Sequence, residues 1–247
     1  MITRIIRYRR DGAVGRAELL EGGVLRVLEG AVADHLEQVQ LLAPVTPSKI
    51  VGVGLNYRAH AAEMGKKLPD EPLLFLKPST AVLDPGAPII RPGGYQRVDY
   101  EGELAVVFGQ RARRVPAAAW RSVVAGFCCA NDVTVRDLQA KDVQYTRAKG
   151  FDTFAPLGPC LAVGLDPAAL QLTTRVNGQV RQSSSTTDMI FSVPQLIEAV
   201  TRVMTMLPGD VISTGTPPGV GQAEVGSVIE VEIEGIGVLR NPVVGEE

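Results

Sequence analysis

The sequence lacks the basic excess and the aromatic content that nucleic-acid binding requires. Its 247 residues hold 25 Lys and Arg against 27 Asp and Glu, so the formal net charge is −2. Proteins that bind DNA or RNA neutralise phosphates with a surplus of Lys and Arg, and many stack bases on aromatic rings. Aromatic residues make up only 5% of this chain. The composition therefore argues against a nucleic-acid partner, and its 45% hydrophobic residues are typical of a folded globular protein.

Cysteines, histidines and long hydrophobic runs are also scarce. The three cysteines form no CxxC pair, which predicts reduced thiols rather than a disulfide framework. Two histidines, His35 and His60, are too few for a three-histidine metal site. No run of about 18 apolar residues is present, as a membrane span would need, and the first residues do not resemble a signal peptide. We expect a cytoplasmic protein with no membrane segment.

Glycine and proline are abundant instead, with 26 and 17 residues and no fixed period. This composition predicts short strands, tight turns and few long helices. Residues 1–47, with several glycine-rich turns, are expected to form a small β-rich domain, and residues 48–247 the main domain. Strands are predicted over 49–54, 101–108 and 227–234, and a hairpin at Asn177-Gly178.

Two helices are predicted from hydrophobic spacing. One is short and covers residues 116–124. The other begins at the capping-box pattern Ser192-Val-Pro-Gln195 and keeps helical spacing of its apolar residues to Leu207, before Pro208-Gly209.

A cluster of acidic residues next to buried-looking strands is the strongest chemical signal. Glu101 and Glu103 are two residues apart at the start of an apolar strand, so their side chains share one face. Buried carboxylates repel one another unless a cation compensates them, and a hard ion such as Mg²⁺ suits oxygen ligands without nitrogen or sulfur. The residues alone leave a structural carboxylate pair equally open. Asp132 follows another apolar strand and is either a helix cap or a third ligand.

Two further polar groups accompany this cluster. If a helix begins at Asp132, then Arg136 and Gln139 lie at i+4 and i+7, on the same side of it. His60 and Glu63 lie at i and i+3 in a short helical stretch, where the carboxylate can orient the imidazole ring and raise its basicity. A surface ion pair is the alternative for this dyad. Gly52-Val-Gly54 after a strand hints at a dinucleotide turn, but Tyr57 stands where the third glycine belongs.

Together these motifs resemble the fumarylacetoacetate hydrolase family, in particular its short acylpyruvase-like and 2-hydroxyhepta-2,4-diene-1,7-dioate isomerase-like members. The resemblance covers residues 49 to about 240 and consists of ordered sequence blocks. These blocks are Gly52–Glu63, Leu74–Ser79, Tyr100–Leu104, Asn131–Gln139, Lys149–Asp152, Asn177-Gly178, Asp188–Ser192 and Gly209–Gly221.

The resemblance implies a fold, a site and a cofactor. The fold is expected to be α+β, with a mixed β-roll core of the fumarylacetoacetate hydrolase type and few helices, in a homodimer. Glu101, Glu103 and Asp132 match the carboxylates that hold Mg²⁺ or Mn²⁺. His60 and Glu63 match a water-activating dyad on a lid, and Lys149 matches a lysine that stabilises negative charge. Arg136 and Gln139 match polar residues that line the site, and Thr216 matches a threonine that binds the substrate carboxylate. The larger hydrolases have an additional aspartate before the histidine, which residues 53–58 lack.

The implied reaction is metal-dependent chemistry on a 2-oxo acid. Hydrolysis of a C–C bond in an acylpyruvate, or the related isomerisation of a hydroxydienedioate, is the leading expectation. Decarboxylation of oxaloacetate is an alternative, because it passes through the same enolate. The two reactions differ in that only hydrolysis requires a base to activate water. A catalytically silent protein that binds 2-oxo acids is the alternative from another class, and a dinucleotide-dependent oxidoreductase is the third. The motifs leave the distal part of the substrate open.

Overall fold

A computed structural model describes all residues of the chain, Met1–Glu247. Strands dominate it, and none of its helices has both the length and the hydrophobicity to span a lipid bilayer. The strands are β1 (Thr3–Arg10), β2 (Ala13–Leu19), β3 (Leu25–Gly30), β4 (Gln40–Leu42), β5 (Lys49–Gly54), β6 (Leu73–Pro78), β7 (Val82–Leu83), β8 (Ile89–Arg91), β9 (Val98–Tyr100), β10 (Gly102–Phe108), β11 (Val124–Asn131), β12 (Thr134–Val135), β13 (Ala155–Val163), β14 (Gln171–Val176), β15 (Gln179–Ser185), β16 (Val211–Ser213), β17 (Gly221–Gln222), β18 (Val228–Ile233) and β19 (Gly237–Gly245).

Four α-helices connect the strands. They are α1 (Arg58–Glu63), α2 (Arg136–Lys141), α3 (Thr146–Lys149) and α4 (Val193–Val203). Only α4 exceeds six residues, so the prediction of an α+β protein with few helices is confirmed.

Three sheets form the core. The largest has the order β3-β2-β1-β13-β11-β10-β16-β5-β6, with β4 paired to β1 and β7 to β13. Its pairs are antiparallel except β16 with β5 and β13 with β7. A second sheet has the order β15-β14-β18-β19-β8, and a third the order β12-β9-β17. These mixed sheets agree with the predicted β-roll of the fumarylacetoacetate hydrolase type.

Strand β10 runs through the middle of the largest sheet, and every one of its residues is buried. Apolar side chains on both faces explain this position, because a strand covered on both sides has no polar alternation. One face packs in the main hydrophobic cluster with α4 and the second sheet. The strand thus carries Glu103 into a dry interior, as its sequence predicts.

Residues 1–47 add strands to the largest sheet. Strand β1 is hydrogen-bonded to β13, and its side chains Ile6 and Tyr8 belong to the same hydrophobic cluster as α4. The division of the chain into residues 1–47 and 48–247 stays a prediction.

Three local predictions need correction. Helix α4 ends at Val203, not Leu207, because Met206 exchanges two backbone hydrogen bonds of 2.9 Å with Ala112. The helix predicted over 116–124 is a single stretch of 3-10 helix, Ala117–Ser122, and β11 begins at Val124. The remaining predicted strands and the Asn177-Gly178 hairpin are confirmed within one residue.

The first glycines of the Gly52–Glu63 block lie inside β5 rather than in a phosphate-binding turn. At Gly52 a Cβ atom would stand 2.1 Å from Cζ of Phe75, so the glycine makes room for this ring from β6. The structure gives a packing reason for the Gly52-Val-Gly54 pattern, and the dinucleotide interpretation has no support in it.

Candidate active site

The backbone of β10 and β11 brings the three predicted metal ligands together. Gly102 pairs with Asn131 in the antiparallel register, so the next residues outward, Glu101 and Asp132, face each other. The Asp132 N–H donates to Glu101 O (2.8 Å), and the Glu101 N–H donates to Asn131 Oδ1 (2.9 Å). One oxygen each from Glu101, Glu103 and Asp132 lies within 4.8 Å of the others, and all three residues are buried.

Two buried lysines neutralise part of this cluster. Lys149 Nζ donates to Glu101 Oε2 (2.9 Å), Asp132 Oδ2 (2.5 Å) and Thr134 Oγ1 (2.8 Å). Lys77 forms an ion pair with the other oxygen of Asp132, Oδ1. Lys77 was absent from the predicted site, although a lysine inside the apolar strand β6 was a visible signal.

Arg136 joins the cluster to a second acidic residue. Its guanidinium group contacts Glu101 Oε1 (2.6 Å), Asp99 Oδ2 (2.8 Å) and Gln139 Oε1 (2.7 Å). Asp99 also accepts from Arg97 Nε (2.9 Å). The predicted helix that begins at Asp132 and carries Arg136 and Gln139 on the same side is wrong, because β12 intervenes and α2 begins only at Arg136. Arg136 and Gln139 still meet, as residues i and i+3 of that helix.

The carboxyl groups of the cluster differ in their ionisation. Burial raises the pKa of Glu101, but the charges and hydrogen bonds of Lys149 and Arg136 outweigh it and hold the pKa at about 2. Burial and the neighbouring charges of Asp132 and Glu101 raise the pKa of Glu103 to about 8. No cation pairs with Glu103. Its Oε2 accepts from the Ser213 hydroxyl (2.6 Å) and the Gly215 N–H (2.9 Å), and its Oε1 accepts no hydrogen bond.

The predicted dyad lies on α1, across the cavity from the cluster. The distance from His60 Nδ1 to Glu63 Oε2 is 2.9 Å, and Glu63 Oε1 accepts from the Gly219 N–H (3.2 Å). The Ala59 N–H at the start of α1 donates to Asp188 Oδ2 (3.0 Å). His60 is buried, whereas the side chain of Glu63 is 45% exposed, so the dyad joins a buried imidazole ring to a partly exposed carboxylate.

Thr216 lies in the loop between β16 and β17, and its hydroxyl is already engaged. The hydroxyl donates to Gly102 O (2.9 Å) and accepts from Gln182 Nε2 (2.8 Å). Gln182 also donates to Pro217 O (2.8 Å) and accepts from the Gly102 N–H (3.0 Å). This buried glutamine, which sequence reasoning missed, ties β15 to the loop and to the start of β10.

A cavity of about 600 Å³ connects these groups. Six of the nine predicted site residues line it, namely His60, Glu101, Arg136, Gln139, Lys149 and Thr216. Glu103 and Asp132 stand beside Glu101 in the cluster, and Glu63 stands behind His60. The structure therefore brings all nine residues to one place, and the role of each residue is a proposal.

Comparison with known proteins identifies the fold that carries this site. A family model described as fumarylacetoacetate (FAA) hydrolase C-terminal matches residues 49–244. The chain belongs to the fumarylacetoacetate hydrolase family. Similar solved structures include hydrolases and isomerases, and this chain is an enzyme of the family.

Three similar proteins illustrate the range within this family. The crystal structure of 5-carboxymethyl-2-hydroxymuconate delta-isomerase from Mycobacterium smegmatis is 44% identical, with a TM-score of 0.92 over 99% of both chains. The fumarylacetoacetate hydrolase of Exiguobacterium antarcticum is 35% identical, with a TM-score of 0.86 over 99% of this chain and 100% of that one. Oxaloacetate tautomerase FAHD2A, mitochondrial, of Bos taurus is 43% identical over 92% of this chain and 79% of its own.

The residues present fit a divalent cation. Three carboxylates within 4.8 Å of one another form an all-oxygen ligand set of the kind that Mg²⁺ and Mn²⁺ prefer. Burial and the neighbouring charges of Asp132 and Glu101 raise the pKa of Glu103, which no cation contacts, and its Oε1 atom has no hydrogen-bond partner. The acidic cluster is thus chemically able to bind a metal ion.

Proposed function

We propose that the protein is a divalent-metal-dependent enzyme that converts 2-oxo acids through their enolates, and that its reaction is the C–C hydrolysis of an acylpyruvate or the related isomerisation of a hydroxydienedioate. The observation that carries this proposal is the placement of the His60–Glu63 dyad and the acidic cluster around one cavity. Enolate chemistry needs charge stabilisation on one side of the substrate and a proton acceptor on the other.

Glu101, Glu103 and Asp132 would hold the metal ion, and Mg²⁺ or Mn²⁺ is the proposed identity. When bound, such an ion supplies a Lewis acid for the carboxylate and keto oxygens of a 2-oxo acid. Lys149 keeps a positive charge beside this position, because the charges of Asp132 and Glu101 outweigh burial and raise its pKa. Its ammonium group stabilises the negative charge that develops on the enolate oxygen. Arg136 and Gln139 line the cavity and orient the substrate.

His60 acts as the base. Glu63 holds Nδ1 of the imidazole, so Nε2 is the nitrogen left to accept a proton. In hydrolysis, Nε2 takes a proton from water as the oxygen adds to the distal acyl carbon. The bond between that carbon and C3 then breaks, its electron pair forms the enolate, and a proton returns to C3. In isomerisation, the same nitrogen moves a proton along the dienol without adding water.

Tautomerisation of oxaloacetate is a second candidate, which the 43% identity to oxaloacetate tautomerase FAHD2A of Bos taurus favours. This reaction moves one proton between C3 and the enol oxygen and breaks no C–C bond. Decarboxylation of oxaloacetate through the same enolate is the remaining alternative. We also propose that the enzyme is cytoplasmic, from its cysteines without a disulfide framework, and that it is a homodimer, from the family resemblance. Light scattering at micromolar concentration tests the dimer.

A panel of substrates in Mg²⁺-containing buffer tests the function. Acylpyruvates, a hydroxydienedioate and oxaloacetate are each supplied, and the products are identified. We expect acylpyruvate hydrolysis or diene isomerisation, with loss of activity in excess EDTA. Full activity in EDTA would contradict the metal dependence, and turnover of oxaloacetate alone would move the assignment to the tautomerase or decarboxylase.

Two variants separate the roles of the dyad and the lysine. His60→Ala is expected to lower kcat/KM for hydrolysis by about 10²–10⁴-fold, the range for a positioned general base, and to lower decarboxylation far less. Lys149→Ala is expected to lower both, because both reactions develop charge on the same oxygen. His35→Ala is the matched control, since His35 contacts only residues near the N-terminus. Equal losses for both reactions in His60→Ala would show that His60 does not activate water.

A further inference from the structure

The end of β9 carries side chains that serve two different sides of the site. Asp99 and Glu101 both contact Arg136, on the side of the acidic cluster. Successive residues of an extended chain point to opposite sides, so Tyr100 between them turns away from the cluster. Tyr100 lines a second cavity of about 580 Å³, together with Gly219 of the loop between β16 and β17. Its ring is nevertheless buried, because only 3% of the residue is exposed.

Tyr100 holds the backbone of Gly219 in place. Its hydroxyl donates to Gly219 O (3.2 Å), and the Gly219 carbonyl accepts no other hydrogen bond. A Cβ atom at Gly221 would stand 2.9 Å from the Tyr100 hydroxyl oxygen, so the missing side chain lets the phenol reach the loop. Gly221 is also the antiparallel partner of Tyr100 in the pairing of β17 with β9. Both the backbone and the side chain of Tyr100 therefore fix this part of the loop.

Gly219 in turn holds Glu63. The Gly219 N–H donates to Glu63 Oε1 (3.2 Å), while the other oxygen, Oε2, lies 2.9 Å from His60 Nδ1. No lysine or arginine forms an ion pair with Glu63, and its side chain is partly exposed. Apart from His60 itself, the Gly219 amide is thus the group that orients this carboxylate. A chain of hydrogen bonds runs from the Tyr100 hydroxyl through the Gly219 backbone to Glu63 and His60.

We infer that Tyr100 is a positioning residue for the His60–Glu63 dyad and that it acts through the backbone of Gly219. This inference rests on the proposed function, in which Glu63 holds Nδ1 of His60 and leaves Nε2 to accept a proton. Tyr100 does not line the substrate cavity. Its hydroxyl keeps the Gly219 peptide against Glu63, so the carboxylate orients the imidazole ring before the substrate binds. Because Tyr100 directly precedes Glu101, one strand end fixes a proposed metal ligand and, across the cavity, the base.

NMR of the histidine rings tests this chain of contacts in the metal-free protein without substrate. The sequence has only two histidines, so ¹⁵N-histidine labelling gives two sets of ring signals, and His35→Ala assigns them. At pH 9, where ordinary imidazole rings are neutral, the ¹⁵N shifts report which nitrogen carries the proton. In the wild type we expect the His60 proton on Nδ1, beside Glu63. Tyr100→Phe removes only the hydroxyl group, and the tautomer with the proton on Nε2 should then appear.

Tyr8→Phe is the matched control. Tyr8 is also buried, and its hydroxyl also donates to a backbone carbonyl, that of Ala31, among the N-terminal strands. Both variants should lower Tm to a similar extent, but only Tyr100→Phe should change the His60 signals. On a substrate that the enzyme converts, Tyr100→Phe is expected to lower kcat about three- to ten-fold, the effect of one hydrogen bond, and to leave KM within about two-fold. Tyr8→Phe should change neither constant.

The outcomes separate positioning from a structural role. If the His60 tautomer is the same in Tyr100→Phe as in the wild type, the inference is overturned even when Tm falls. A loss of kcat in Tyr100→Phe no larger than in Tyr8→Phe would also overturn it. The NMR result needs no turnover, so it decides the role of Tyr100 even if none of the tested acids is converted and the proposed function fails.

Discussion

Metal binding is expected to depend on pH through one carboxyl group, that of Glu103. Its pKa is about 8 in the metal-free protein, because burial and the charges of Asp132 and Glu101 disfavour ionisation. Glu101 has a pKa of about 2 and is already ionised at any working pH. A metal ion requires ionised ligands, so below pH 8 it has to displace a proton from Glu103. The apparent affinity for Mg²⁺ or Mn²⁺ should therefore fall about ten-fold for each pH unit below 8 and level off above it.

The same group affects the stability of the metal-free protein. Its folded-state pKa lies above the ordinary value of 4.5 for a glutamate, so the folded state binds more protons than the unfolded state between these two values. The contribution of Glu103 to the free energy of unfolding is consequently greatest at low pH and decreases as pH rises from 4.5 to 8. Stabilisation by a divalent cation should increase over the same interval.

Calorimetric titration with Mn²⁺ at several pH values between 6 and 9 measures the effect. Titrations at one pH in two buffers of different ionisation enthalpy count the released protons. About 0.9 proton per ion is expected at pH 7 and about 0.1 at pH 9. Glu103→Gln should bind more weakly and lose the pH dependence, whereas Glu29→Gln, an exposed carboxylate on β3, should behave as the wild type. A constant affinity between pH 6 and 9 with no proton release would refute the assignment of Glu103 as a ligand.

Two further predictions concern the loop that contains Thr216. Gln182→Met removes the hydrogen-bond donors to Thr216 and Pro217. KM is therefore expected to rise about five- to ten-fold, the effect of one or two buried hydrogen bonds, with a smaller change in kcat. A lower Tm with an unchanged KM would assign Gln182 a purely structural role. Gly219→Ala places a Cβ atom 2.1 Å from Arg181 O and should displace the Gly219 amide that holds Glu63, so kcat is expected to fall. Gly226→Ala is the control, because Gly226 also has a positive φ but has free space around it; this variant should lose only about 1 kcal/mol of stability and keep its kcat. Equal kcat values in the two variants would contradict the contact between Glu63 and Gly219.

The acidic cluster could be predicted from the sequence because its signals are local. Glu101 precedes and Glu103 lies within a strand with two apolar faces, and Asp132 directly follows the strand that pairs with it. The His60–Glu63 dyad was predictable for the same reason, as an i, i+3 pair in one helix. The residues alone left a structural pair, a helix cap and a surface ion pair open, and the family resemblance was needed to favour the metal ligands and the dyad.

Other features depend on contacts between distant parts of the chain. Lys77 becomes a member of the site only because β6 crosses near Asp132, 55 residues further along the chain. Helix α4 ends early because Met206 pairs with Ala112, which no spacing of residues 192–207 could reveal. Gln182 reaches the Thr216 loop from another sheet. Such long-range pairings follow from the order of strands, which hydrophobic periodicity does not determine.

The ion pairs of the site form an alternating row of charges from Arg97 to Lys77, and this row restricts how the enzyme can change during evolution or engineering. Five residues inside the row each contact two groups of opposite sign, namely Asp99, Arg136, Glu101, Lys149 and Asp132, so replacing any one of them takes a partner away from two neighbouring charges. A substitution at either end of the row takes a partner away from only one. Variation in the reaction should therefore come from cavity residues outside the row, such as Leu73 and Met64, while the row itself changes only by coupled substitutions.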